Sequence, residues 1–249
     1  MVFLNSTPET RFKITPEQLE KTITNKTKLF IFSTPCNPTG ATYTKNELEA
    51  LAKVFEKHPD VFIISDEIYE YINFSHTNGN YESIAQFDSV KDRVIIINGL
   101  SKGFAMTGWR LGYIAAHPEV AKACEKIQGQ MTSGTNSITQ RAAITALESP
   151  LTATYEMVKE FKRRKERVTE LLKGLPHLKC IDPQGAFYIF PEVSYYFGKK
   201  HGSEVINNSS DICMYLLNHA HISTVSGDAF GQPGYIRISF ANSMENSEE

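Results

Sequence analysis

The chain has 249 residues, of which 41% are hydrophobic and 22% charged, the profile of a globular protein with material for a sizeable core. Its 26 basic and 28 acidic residues leave a net charge of -2, which gives no footprint for nucleic acid or an anionic membrane. The start "MVFLNSTPET" has neither the basic end nor the apolar run of a signal peptide, and no apolar stretch is long enough to span a bilayer, so a cytoplasmic location is expected.

The first element is helical. "TPEQLEKTI" opens at Thr15 with Pro16 in the first turn and Gln18 three residues on, the pattern of a capping box. "KLFIFS" (28–33) is a β-branched and aromatic run that reads as a strand. "TKNELEALAKVFEKH" repeats the capping device with Thr44 and Glu47, and lines Leu48, Leu51 and Phe55 along one helix face. Two more apolar runs follow, "VFIIS" (61–65) and "RVIIIN" (93–98). Continuous runs of this kind fit strands buried on both faces of a parallel sheet, and their alternation with helices predicts an α/β fold.

The second half changes character after Pro150. "GQMTSGTNSITQRAAITALESP" (129–150) is rich in small and polar residues. "TYEMVKEFKRRKERVTELLKGL" (154–175) then reads as a long helix ended by Gly174. Its basic run "KRRKER" reads as a solvated helix face, because no wider positive charge accompanies it. Strand-like pieces "KCID", "AFYIFPEV", "HISTV" and "YIRISFA" surround one more helix, "SSDICMYLLNHA". This divides the chain into a mostly parallel large domain at 1–150 and a smaller α+β domain at 151–249, joined by the long helix.

The unusual residues sit where the apolar runs stop. The first run leads into "STPCNPTG" with Asn37, the second into "SDEIYEY" with Asp66 and Tyr69, and the third into "NGLSK" with Lys102. Open α/β sheets bind ligands outside the carboxyl ends of their strands, so an amide, a carboxylate, a phenol and an amine are expected on one rim. A lysine among apolar neighbours loses its proton more readily and forms a Schiff base with a carbonyl. Pyridoxal phosphate is the cofactor that pairs a lysine imine with an aspartate, the acid keeping the pyridine nitrogen protonated. Arg110 offers a charged fork to a phosphate.

Four stretches in order carry a resemblance: "NPTG", "SDEIYEY", "SKGFAMTGWRLGY" and "YIRISFANS". With them the chain resembles the class I aminotransferases of the aspartate aminotransferase type, within the fold-type I enzymes that use pyridoxal 5'-phosphate. The resemblance implies that Lys102 forms the imine and shuttles the proton, and that Asp66 partners the pyridine nitrogen. It implies that Asn37 and Tyr69 face the ring oxygen, that Arg110 with Ser101 holds the phosphate, and that Arg237 grips the substrate α-carboxylate. The implied reaction moves an amino group between an amino acid, aspartate or glutamate, and a 2-oxo acid, with prephenate or aromatic oxo acids as further acceptors, in a cytoplasmic homodimer.

Structural readings stand beside these. Asp66 also reads as a helix N-cap, Tyr69 as a core aromatic, Asn37 as a turn residue before Pro38, and Arg237 as an edge-strand charge. A lyase or synthase of the same fold, or a non-catalytic ligand-sensing module, is the alternative function. His58, His76 and the other histidines fit no triad or metal spacing. Cys36, Cys124, Cys180 and Cys213 form no C-x-x-C pair and are expected as free thiols, with no metal site. The family's glycine-rich phosphate turn and ring-stacking aromatic have no counterpart, since the first glycine is Gly40. The chain is therefore expected to lack sequence at both ends, to hold the cofactor weakly on its own, and to expose apolar surface.

Overall fold

Two capping boxes start the first two helices, and both use the residues that the sequence marks. The computed structural model describes residues 1–75 and 81–245, so His76 lies outside the described residues. In α1 (Pro16–Thr22) the Thr15 hydroxyl accepts from the Gln18 N–H at 3.3 Å, and the Gln18 side chain accepts from the Thr15 N–H at 2.9 Å. After β1 (Leu29–Ser33), α2 (Lys45–Glu56) repeats the exchange between Thr44 and Glu47 at 3.3 and 2.7 Å. Each box satisfies two N–H groups that a helix start otherwise leaves to water. Glu47 also pairs with Lys13, so this cap is tied to the segment before α1.

The chain divides into two units, Met1–Cys36 with Ala41–Val158, and Asn37–Gly40 with Lys159–Glu249. The first unit holds a four-stranded sheet in the order β1-β2-β3-β4, completed by β2 (Phe62–Asp66), β3 (Val94–Gly99) and β4 (Gly112–Ala115). The first three strands are parallel and β4 returns antiparallel beside β3. In register, Ser33 sits opposite Asp66 and Asp66 opposite Ile97, so the strands end at one edge within two residues of each other. Leu48, Leu51 and Phe55 of α2 pack with Phe30, Ile63 and Val94 into the core of this unit.

That core uses one face of the sheet. Successive side chains of a strand alternate between faces, and the opposite positions stay open: Leu29 is 46% exposed and Ile31 63%. The runs expected to be buried on both faces are thus buried on one, and the apolar surface expected from the sequence is present. Helices α3 (Pro118–Met131) and α4 (Ser137–Glu148) occupy a region with no helix pattern assigned from the sequence; α3 has no buried residue.

The chain passes to the second unit within α5 (Thr152–Lys173), whose end is closed by Gly174 N–H bonds to Glu170 and Leu171. Here β5 (Tyr188–Ile189), β8 (Val225–Ser226) and β9 (Ile236–Ser239) form an antiparallel sheet in the order β5-β9-β8. A hairpin pairs β6 (Lys200–His201) with β7 (Glu204–Val205), and α6 spans Ser209–Ala220. Val193, Ile212 and Ile236 centre its core. The strands are shorter than their sequence patterns, and "KCID" contributes a single bridge, Lys179 to Glu192. The basic run of α5 is mostly solvated and paired: Glu160 takes Arg163 at 2.8 Å and Arg164 at 3.0 Å. Lys165 departs from that reading, being buried and paired with Asp182 at 3.0 Å. Among the described residues no helix is long and apolar enough to cross a membrane.

The capping geometry makes a direct prediction. Thr44→Ala should cost about 1 kcal/mol of stability in urea denaturation, with Thr44→Ser recovering most of it; an unchanged midpoint would refute the role of the box.

Candidate active site

Strand β2 ends at Asp66, followed by Glu67, and two backbone bonds fix that end. The Thr34 N–H donates to the Asp66 carbonyl at 3.0 Å and the Glu67 N–H to the Ile97 carbonyl at 2.8 Å, joining the tips of β1, β2 and β3. The Asp66 carboxylate accepts from the Ile68 N–H at 3.2 Å, so it also closes the turn, as its capping propensity suggests. Tyr69 follows with 4% exposure, a core aromatic by burial. Its ring centre nevertheless lies 5.8 Å from the Lys102 Nζ. Asp66 thus closes a turn, and Tyr69 is buried with an amine near its ring.

Sequence reasoning passed over Glu67. It is 3% exposed, and one carboxylate oxygen accepts from Ser65 Oγ at 2.8 Å and Ser83 Oγ at 2.7 Å. Burial pushes its carboxyl up to about 7, opposed by the two serine hydroxyls and assisted by the neighbouring Glu70 and Asp66. The signal was present: a second acid directly after Asp66, at a strand end where a solvated pair would not be followed by Ile68 and a buried Tyr69.

Lys102 sits on the loop that leaves β3, and the carbonyls around it are bonded. Leu100 accepts from the Met106 N–H at 3.2 Å, Ser101 from the Thr107 hydroxyl at 2.8 Å, Lys102 from the Ala105 N–H at 3.2 Å, and Gly103 from the buried Thr154 hydroxyl at 3.0 Å. Four consecutive carbonyls are thereby satisfied, which holds the half-buried lysine without regular secondary structure. Gly103 has no alternative: a Cβ there would overlap the Tyr71 ring. Arg110 ends the following turn in a left-handed conformation with φ 55°, and its guanidinium donates to the Thr107 carbonyl at 3.0 Å. Thr107 therefore links the Ser101 carbonyl to Arg110, and the rest of this exposed fork faces outward.

The remaining two predicted residues belong to the second unit. Arg237, on β9, donates to the Asn37 side-chain oxygen at 2.9 Å, a bond between residues 200 positions apart. Its guanidinium lies 4.4 Å from the Tyr188 ring centre and 5.2 Å from that of Phe230, and its Nε is buried without a hydrogen-bond partner. A buried, unsatisfied donor on a guanidinium is costly unless an anion completes it. Ile236 and Ile238 instead line an apolar cavity of about 520 Å³ on the other side of the strand, with Leu172, Leu216 and Ile222. That cavity contains none of the predicted site residues.

The geometry can be set against known proteins. The model of the family "Aminotransferase class I and II" matches residues 1–249. The chain belongs to this family. Aminotransferase relatives include the aspartate/prephenate aminotransferase of Nitrosomonas europaea, 40% identical over 250 residues that cover 100% of this chain and 63% of that protein. Petunia hybrida has a bifunctional aspartate aminotransferase and glutamate/aspartate-prephenate aminotransferase, 43% identical over 94% of this chain and 49% of its own length. Among solved structures, the aspartate aminotransferase of Rhizobium meliloti superimposes with a TM-score of 0.93 at 36% identity, covering 99% of this chain and 62% of that one. The chain thus spans about three fifths of the length of the first relatives it matches. The aminotransferase fold is that of the fold-type I enzymes, and members of the family depend on pyridoxal phosphate. The first unit fits that cofactor: it supplies an amine beside a phenol, a carboxylate at the adjoining strand end, and an outward guanidinium.

Two outcomes follow from the site. The Glu67 carboxyl is raised from 4.5 to about 7, so between those values the folded chain keeps a proton that the unfolded chain releases. Stability therefore falls as pH rises through this window and is level above it. Glu67→Gln should flatten the slope, removing on the order of 3 kcal/mol of pH dependence between pH 5 and 8 in chemical denaturation. Gly103→Ala should displace Tyr71 and cost about 1–3 kcal/mol; a variant as stable as the parent would contradict the close approach.

Proposed function

We propose that the protein moves an amino group between an amino acid, aspartate or glutamate, and a 2-oxo acid, with pyridoxal 5'-phosphate as cofactor and prephenate or an aromatic oxo acid as further acceptors. The observation that carries this reading is that Asp66 ends β2 and Lys102 lies on the loop leaving the adjoining β3, its Nζ 5.8 Å from the Tyr69 ring centre. The relatives named aspartate/prephenate aminotransferase support the choice of substrates. Neither the lyase or synthase reading nor the sensing module has support among these names.

When bound, the cofactor supplies a carbonyl to capture amines and a ring that accepts electrons from the substrate α-carbon. The chain's residues then have separate tasks. Lys102 would be the attachment amine, and its Nζ would carry the proton to and from the substrate α-carbon. Asp66 holds the proton on the pyridine nitrogen. Tyr69 and Asn37 donate hydrogen bonds to the ring oxygen, and Arg110 with Ser101 takes the phosphate. Arg237, with its orphan Nε, takes the substrate α-carboxylate. Residues 1–150 are assigned as the cofactor-binding domain and 151–249 as the small domain, in a cytoplasmic homodimer.

Incubation with pyridoxal phosphate, borohydride reduction and peptide mapping should place the label on Lys102; label scattered over surface lysines would sink the reading. Lys102→Ala should abolish oxo-acid-dependent amino transfer. Arg237→Ala should raise KM for the amino acid about 100-fold, the value of a charge-assisted hydrogen-bond pair.

A further inference from the structure

Lys102 lies in the connection between β3 and β4, residues 100–111, and these two strands are antiparallel neighbours. A tight hairpin turn of about 2–5 residues fixes its own geometry, but a connection of this length does not. The four bonded carbonyls of the loop are of two kinds. Leu100, Ser101 and Lys102 accept from Met106, Thr107 and Ala105, so these bonds fold the loop on itself. Gly103, directly after the lysine, accepts instead from the Thr154 hydroxyl at 3.0 Å, 51 positions away in the first turn of α5. The local bonds give the loop its shape, and the distant one fixes where that shape stands.

We infer that Thr154 is a positioning residue for Lys102, its hydroxyl anchoring the lysine loop to the start of α5 through the Gly103 carbonyl. The inference rests on the reading of Lys102 as the reacting amine. Thr154 is 6% exposed and Gly103 is buried, so neither partner can trade this bond for one to water without cost. A threonine in a helix often turns its hydroxyl back on its own backbone, whereas this one points off the helix. The Tyr71 ring also closes on Gly103, leaving no room for a Cβ, and meets Phe104 edge-on at 5.4 Å between centres. All of these residues belong to the first unit. Because Gly103 adjoins the lysine, a shift of its carbonyl passes to Lys102 almost undiminished, and reacting groups are sensitive to misplacement of about 1 Å. Sequence alone gives Thr154 no more weight than Thr152; only the approach of the loop gives its hydroxyl an acceptor.

The test compares Thr154→Val, which keeps the shape and removes the donor, with Thr154→Ser, which keeps the donor. In native-state hydrogen exchange the Ala105 and Met106 N–H groups should exchange about tenfold faster in Thr154→Val, the worth of one hydrogen bond, with the Ile64 and Ser65 amides of β2 unchanged. Trace acetylation with acetic anhydride, read by mass spectrometry, should show Lys102 reacting about threefold or more faster relative to Lys13, a buried and ion-paired lysine of the same unit, because the released amine reaches solvent more often. Borohydride trapping of pyridoxal phosphate on Lys102 should fall by a similar factor. Acylation and trapping that move in opposite directions mark a misplaced amine, and Thr154→Ser should restore all three readings. Faster exchange throughout the unit, unchanged Lys102 reactivity in Thr154→Val, or a serine variant that behaves like the valine one would overturn the inference. If Thr154→Val does not fold, Thr154→Ala removes the same donor with less bulk and is read in the same way. Wild-type chain that fails to trap pyridoxal phosphate on Lys102 would sink the proposed function, while exchange and acetylation would still decide the role of Thr154.

Discussion

The parallel pairing of β1, β2 and β3 is the constraint on which the rest depends. Because Ser33, Asp66 and Ile97 stand in one row, the chain must leave three strands at the same edge, and each exit delivers a different functional group. Parallel strands need long crossovers, and here those crossovers carry α2 and its buried apolar face. A slip of one residue would turn Ile63 outward and Ser65 with it, and would carry Asp66 to the other face of the sheet. The hydrophobic core and the reactive rim are therefore set by one register.

Holding polar groups at such an edge is expensive, and the chain meets the cost with local partners. Four successive carbonyls around Lys102 are all taken, two of them by threonine hydroxyls from 107 and 154. Glu67 is a buried carboxyl that accepts from two serine hydroxyls, and its burial raises it to about 7 against their opposing effect. Arg237 shows the converse, a cation between two rings that keeps one donor in reserve.

Helix starts at Thr15 and Thr44, the long helix ending at Gly174, and helix α6 were all readable, because capping and a period of 3.6 are local properties. The candidate site residues stood out for a different reason. Asn37, Asp66, Lys102 and Arg237 lie in motifs whose order along the chain carries the family resemblance. Glu67 was passed over, since a second acid after Asp66 marks the position without saying which of the two is buried. Nor did continuous apolar runs reveal that Leu29 and Ile31 would stay open, because composition cannot say which layers cover a sheet.

By itself the sequence determined the first three strands, the capped helices and the long helix, and the chemical identity of the groups at the three strand ends, since these depend on neighbours a few residues away. Tertiary structure decided the rest: that β4 runs antiparallel beside β3, that Asn37 meets Arg237 across 200 positions, and that the Tyr71 ring closes over Gly103. Each of those facts is a contact between distant segments, and its energy exists only once packing has brought both partners out of water.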